Sequence, residues 1–236
     1  MYILHIANKN YSSWSLRPWA LLRALAIPFR EKMHFFGGVS NELRFREFSP
    51  SGRVPCLQDG ENLIWDSLAI AEYLAERHPE VWPADSSARA WSRCACAEMH
   101  AGFAELRNRC SMSVGVRIRL HAPTQQLRCD LGRLQELWSD GLRRFRGPWL
   151  VGPKFTAVDA YFAPVAFRIQ TYGLALDRPC RAYARRLLGH AALRAWEADA
   201  LAESRRDEAH ESEIMASGEI LEDLRANPKA EMDYVS

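Results

Sequence analysis

The segment SPSGRVPCL, residues 49–57, constrains the fold more than any other stretch of this sequence. A Val-Pro step at the mouth of an apolar run is unusual, because proline cannot donate to a β-ladder and is confined to edges, first residues and special turns. If Val54-Pro55 is cis, the bend turns the Val54 N–H and C=O outward, where an extended peptide-like ligand can pair with them. The other reading is a purely structural turn. Further along, Asp66-Ser67 opens a second constrained element, a helix with Leu68, Ile70, Ala71 and Leu74 at mostly helical spacing. The free N–H groups and positive end of that helix suit a carboxylate, and the Asp66 side chain suits an ammonium group. A plain N-cap is the alternative.

The elements around these two segments follow an α/β order. YILHIA, residues 2–7, reads as a buried strand, and SSWSLRPWALLRALAI as a helix starting near Ser13 to Ser15, with a proline in its first turn and Leu16, Leu21, Leu22 and Leu25 on the apolar side. REKMHFF, residues 30–36, is a second strand, and SPSGRVPCL and ENLIWD are two more, joined as a hairpin by Asp59-Gly60. Residues 1–78 therefore form one α/β domain, and the proline-rich PEVWPADSS carries the linker at 79–85. Beyond it, residues 86–110, 124–146, 156–170 and 179–203 read as helices. The second domain, 86–236, is expected to be all helical, with a polar tail after about residue 205 as a peripheral helix or frayed end.

Composition excludes several classes. A chain of 236 residues holds one large domain or two modest ones at ~150 residues each. Its 48% apolar and 25% charged residues are those of a globular protein. With 31 Lys plus Arg against 29 Asp plus Glu, a net charge of +2 does not suit a nucleic-acid partner. No window reaches the ~18 apolar residues of a membrane span, and the N-terminus has no secretory pattern, so a cytoplasmic protein is expected. The six scattered cysteines suit reduced thiols. Cys94 and Cys96 point ~200° apart on a helix, so no metal is expected. The dinucleotide, P-loop, zincin and nucleophile-elbow motifs are missing from the sequence.

These two segments, with YSSWSLR after the first strand, strongly resemble the cytosolic glutathione transferases, and the resemblance covers most of the chain. It implies a thioredoxin-like N-terminal domain and an all-α C-terminal domain, a cytoplasmic homodimer, and glutathione as co-substrate. It assigns the backbone of Val54, ahead of Pro55, to the cysteine of glutathione, and Asp66 and Ser67 to its γ-glutamyl end. Arg53 either contacts the glycine carboxylate or faces water. Thr156 and Asp159 match the family's capping box, whose reciprocal bonds are worth roughly 1 kcal/mol of folding energy.

SSWSLR is similar to the SSxSxR motif of the serine-type zeta class, which makes Ser12 the catalytic hydroxyl and Ser13 its alternative. The hydroxyl would donate to the glutathione sulfur and favour thiolate over thiol. Trp14 stands where the zeta class has cysteine and Asp66 where it has glutamine, and both count against maleylacetoacetate isomerase activity. Tyr11 is expected as a pocket wall, with Met99, Phe103 and Met112 as the soft apolar wall for a hydrophobic electrophile. The expected activity is thiolate attack on that electrophile. A glutathione-dependent peroxidase or isomerase, or a non-catalytic binding module on the same fold, are the alternatives.

Overall fold

The computed structural model describes residues 1–38 and 40–227; the last residues of the expected tail, 228–236, lie outside them. The N-terminal sheet has the order β2-β1-β3-β4, built from β1 (Tyr2–Ile6), β2 (Phe29–Met33), β3 (Cys56–Asp59) and β4 (Asn62–Trp65). β1 runs parallel to β2 with Tyr2 opposite Phe29, and antiparallel to β3 with Leu4 opposite Leu57. Parallel strands require a crossover, and α1 (Ser13–Ala24) supplies it. β3 and β4 close the predicted hairpin, α2 (Asn41–Phe45) is a short helix before it, and α3 (Ser67–Ala75) follows. This is a thioredoxin-like domain.

Helices dominate the rest of the chain. The predicted helix over 86–110 is two, α4 (Ser86–Ala101) and α5 (Ala104–Arg109), because Phe103 between them takes the left-handed conformation at φ 54°. After β5 (Val116–Leu120) come α6 (Gln125–Phe145) and α7 (Ala157–Tyr172). The stretch predicted over 179–203 divides at His190 into α8 (Arg178–Gly189) and α9 (Ala191–Ala202). α7 is buried on all sides from Ala157 to Arg168, as befits the central helix of a bundle, and it packs on α1, α4, α8 and β5. At its start the Thr156 N–H donates to Asp159 at 3.0 Å, one arm of the capping box.

The helical region differs from expectation in its last part. The tail folds as α10 (Glu208–Ser217) and β6 (Gly218–Asp223), and β6 pairs antiparallel with β5. The physical signal was there in the alternation of Val116, Ile118 and Leu120 with two arginines, a period-two pattern. Arg225 pins the end of this tail: its side chain is 2% exposed and binds Glu211 and Asp223. Among the described residues no helix is long and apolar enough to cross a membrane, and no group of three His, Cys, Asp or Glu could hold a metal ion. Cys94 is exposed and Cys96 buried, on different sides of α4, and all six cysteines are free.

Candidate active site

Two clefts meet between the sheet domain and the helices. The larger, about 670 Å³, is lined by Arg53, Val54, Pro55, Asp66 and Ser67, with His100 of α4 facing them. The smaller, about 450 Å³, is lined by Tyr11, Ser12, Ser13 and Met112. Trp14, Glu42, Arg53, Val54 and Arg107 line both, so the two form one continuous trench.

The larger cleft is shaped by three backbone devices. Val54-Pro55 is cis, and the Val54 N–H and C=O have no backbone partner among the described residues. Gly52, at φ +65°, lies so close to α2 that a Cβ would stand 2.6 Å from the Glu42 side chain and 2.8 Å from its carbonyl; only glycine fits there. Asp66 caps α3, accepting from the Leu68 N–H at 2.9 Å, but does so at φ 71° and ψ 136°, a conformation that costs a non-glycine residue ~1–3 kcal/mol. His100 Nε2 stands 3.5 Å from the Asp66 carboxylate. Ser67 is buried and its Oγ accepts from the Tyr161 hydroxyl at 3.1 Å, which leaves its own proton free to donate.

The serines sit on a loop held rigidly from behind. The Tyr11 and Ser12 amides both donate to the Asn8 carbonyl. The Lys9 and Asn10 amides donate to the Glu203 carboxylate after α9, at 2.6 and 3.2 Å. Lys9 itself is buried against Trp19 and Trp196, with Nζ bound to Glu31 and Asp199 at 2.8 and 2.7 Å. Ser12 occupies the N-cap position of α1 without capping it. Its Oγ donates to Ser15 Oγ at 2.7 Å, which also accepts from the Ala7 N–H at 3.2 Å. Ser12 is nearly buried, whereas Ser13 is half-buried and carries no side-chain hydrogen bond among the described residues. No acidic residue lies in the first turn of α1, so its positive end is uncompensated toward the trench. Pro18, expected in the first turn, falls inside the helix because α1 starts at Ser13. The turn above it lacks one i to i−4 bond, whose acceptor would be the Trp14 carbonyl.

The walls depart from a purely apolar pocket. Met112 and Tyr11 line the smaller cleft as expected, together with Phe36 and Phe45. Met99 and Phe103 do not: they are 1% and 6% exposed, belong to the core and line neither cleft. The turn at Phe103 ends α4 and directs that ring into the bundle. In their place stand Arg107 and Arg168. Arg168 donates to the Cys110 carbonyl at 2.7 Å, and burial pushes its guanidinium down to about 10. Trp14 lies between the guanidinium groups of Arg17 and Arg107, at 4.0 and 4.7 Å from its ring centre. Burial also pushes Arg17 down to about 10 and leaves its Nε and Nη1 without a partner among the described residues. None of these three arginines forms an ion pair among the described residues, and two of them, Arg107 and Arg168, line the smaller cleft.

Tyr11 has no hydroxyl to offer. Its OH donates to Glu211 of α10 at 2.6 Å, and burial together with that bond raises the phenol well above its ordinary range. No cysteine lines either cleft. Cys56, next to Pro55, is buried in β3, and burial raises its thiol to about 11.

Comparison with known proteins fits this geometry. Residues 11–77 match the family model described as glutathione S-transferase, N-terminal domain. Maleylacetoacetate isomerase of Pseudomonas aeruginosa is 30% identical over 147 residues, 60% of this chain and 68% of that protein. The chain belongs to the glutathione S-transferase family.

A stringent starvation protein A homolog of Pasteurella multocida is 27% identical over 138 residues, and the chain spans 60% of its length. In fold, a glutathione transferase homolog from Burkholderia, solved with bound glutathione, superposes with a TM-score of 0.61 at 20% identity, covering 84% of this chain and 98% of that one. Within this glutathione S-transferase fold, sequence reasoning missed Trp14 as a shared wall, Arg107, Arg168, His100 opposite Asp66, and the tail residues His210 and Glu213 in the smaller cleft. The arginines carry no local motif, and the tail residues are brought in by long-range contacts, the pairing of β5 with β6 and the bonds of Glu211 to Tyr11 and Arg225.

Proposed function

We propose that the protein is a glutathione-dependent transferase whose larger cleft holds glutathione and whose smaller cleft holds the electrophile. The observation that carries this is the continuity of the trench from Asp66 and Ser67, past Val54, to Ser12 and Ser13. In this reading Asp66 accepts from the γ-glutamyl ammonium, the Ser67 hydroxyl and the N-terminus of α3 take its carboxylate, and the Val54 backbone pairs with the cysteinyl residue. Arg53 takes the glycine carboxylate. The sulfur then lies at the N-terminus of α1, where Ser12 or Ser13 donates to it. The hydroxyl acts as a donor and never as a nucleophile. Thiolate stabilisation and proximity supply the catalysis. The family resemblance adds a cytoplasmic homodimer to the proposal.

Phe36, Phe45, Met112 and Trp14 favour an apolar or unsaturated acceptor, and Arg107 and Arg168 favour one that carries an anionic group. The same arginines support a second reading, isomerisation of an unsaturated carboxylate by reversible thiolate addition; the Pseudomonas relative is named as an isomerase. Glutathione titration by calorimetry on wild type, Asp66→Ala, Ser12→Ala and Ser13→Ala tests the proposal. Wild type is expected to bind, Asp66→Ala to lose binding, and one serine variant to bind without forming thiolate. Absence of wild-type binding at millimolar glutathione would overturn it. Turnover of a chloronitrobenzene against a maleyl-type cis-alkene separates the two reactions.

A further inference from the structure

The C-terminal helix α10 places a histidine–carboxylate pair in the smaller cleft. His210 lines that cleft beside Tyr11, Ser12 and Ser13. Its ring is held between two aromatic rings, Tyr11 at 4.9 Å and 16° and Phe36 at 4.9 Å and 28°. Nδ1 stands 2.5 Å from Oδ2 of Asp207, the N-cap of α10, which also accepts from the His210 N–H at 3.3 Å. Asp207 is 5% exposed. A carboxylate only accepts, so Nδ1–H donates to it, and in the neutral imidazole with that tautomer the lone pair lies at Nε2. Nε2 has no hydrogen-bond partner among the described residues and is not sealed from solvent. A ring fixed by stacking, a tautomer fixed by a buried carboxylate and a free basic nitrogen are the three features of a poised general base.

We infer that His210, oriented by Asp207, accepts the thiol proton of the co-substrate bound in the trench and later gives it up, to the product or to solvent. The inference rests on the glutathione reading of the trench. In the first step the S–H bond breaks, its electron pair stays on sulfur and the proton passes to Nε2. In the second the sulfur pair forms the bond to the electrophilic carbon. With a halide leaving group, the broken bond's pair departs with the halide as a free anion and the imidazolium gives its proton to solvent. With an activated alkene, the displaced π pair takes the same proton on the adjacent carbon. Asp207 is a positioning residue, because it holds the imidazole and caps α10 and lines neither cleft itself.

The charged and titratable groups around the imidazole are Asp207, Glu211 and Glu213 of its own helix and cap, Tyr11 from the loop after β1, and Arg206 and Arg225 from the flanking tail. The neighbour from the segment between β2 and α2, Phe36, is uncharged. Burial and the bond to Glu211 keep Tyr11 a neutral phenol, so its hydroxyl supplies no base in this stack.

The test follows glutathione binding to wild type, His210→Gln, His210→Phe and Asp207→Asn, with the thiolate read by its ultraviolet absorbance and proton release by calorimetry in two buffers of different protonation enthalpy. The expected result is binding within about threefold in all four, thiolate in wild type with little proton release, and at least about tenfold less thiolate at neutral pH in both His210 variants. The variants should regain thiolate at higher pH with one proton released to buffer. His210→Phe keeps the aromatic sandwich, so a thiolate level equal to wild type in that variant would show a packing role and overturn the inference. A full proton released per thiolate in wild type would overturn it as well. Both results leave the trench reading intact, whereas a wild type that binds no glutathione removes both.

Discussion

Replacing Arg225 by methionine should release the tail that carries His210. The Arg225 side chain is 2% exposed and donates to Asp223 at 2.7 and 2.8 Å, to Glu211 at 3.0 Å, and to the Tyr11 hydroxyl at 3.3 Å. Burial works against its charge, and the two carboxylates outweigh burial, so its guanidinium is held above its ordinary range. Removing one partner of a fully buried pair costs ~3–5 kcal/mol. Here Glu211 and Asp223 are 24% and 43% exposed, and solvent takes over part of their charge; about 2–3 kcal/mol is the appropriate figure. At ~1.4 kcal/mol per tenfold, the opening equilibrium of the tail shifts roughly 30- to 150-fold. Native-state hydrogen exchange of α10 and β6 reads this directly, with β1 and β3 as internal reference. Exchange of β6 within threefold of wild type, or exchange rising equally in β1, would refute the pinning role.

The acid limb of the same contact has a definite sign. Asp223 is held low chiefly by its bond from Arg225; for Glu211 burial pushes the other way and the bonds from Arg225 and Tyr11 prevail. Both carboxyls are depressed, so they stabilise the docked tail above their unfolded values and lose that contribution as pH falls below ~4; tail exchange should accelerate there in wild type and not in Arg225→Met. Asp159→Ala should cost ~2–4 kcal/mol by denaturant titration, since it orphans the Thr156 and Leu150 amides and the Tyr183 hydroxyl. Burial raises the Asp159 carboxyl to about 6, so its ionisation costs stability between pH ~4 and 6, and the gap between wild type and variant should widen toward acid. Asp66→Gly should raise the melting temperature by relieving ~1 kcal/mol or more of backbone strain while losing glutathione binding; a lower melting temperature would mean that the cap to Leu68 outweighs the strain.

Local grammar made the N-terminal half legible. YILHIA, the Asp59-Gly60 turn, Val-Pro and Asp-Ser each carry their structural instruction within a few residues, and β1, the β3–β4 hairpin and α3 lie where those instructions place them. What failed was decided at long range or by single backbone angles. Phe103 was read as one more apolar position on a helix, but a left-handed residue after Gly102 ends α4 there and turns the ring inward. Met99 kept its helix and lost its cleft, because helical spacing says which side is apolar and not whether a ligand or another helix covers it. β6 was invisible, since its partner β5 lies about a hundred residues earlier and GEILED alone alternates weakly. The arginines over Trp14 come from α1 and α5, the other lining arginine from α7, and they have no common motif.

The site's precision thus depends on the C-terminal segments more than its motifs suggest. The serines, Asp66 and Val54 belong to the first domain, yet the loop carrying Ser12 has its amides fixed by Glu203 and its Tyr11 fixed by Glu211 and Arg225. A hydroxyl aimed at sulfur loses most of its value if it wanders by an ångström, because thiolate stabilisation needs a donor already in place when the proton leaves. In the proposed reaction the helical domain therefore has two separate tasks: cationic and apolar walls for the acceptor, and the rigid backing that fixes the first domain's hydroxyls. Glu203→Ala distinguishes them. It touches no lining residue of either cleft, but it orphans the Lys9 and Asn10 amides at ~1–3 kcal/mol each. Glutathione affinity, which the proposal assigns to the larger cleft, should stay within about threefold while the thiolate fraction falls about tenfold, a loss of ~1.4 kcal/mol in sulfur stabilisation. Equal loss of both would mean that the loop positions glutathione as a whole and not its sulfur.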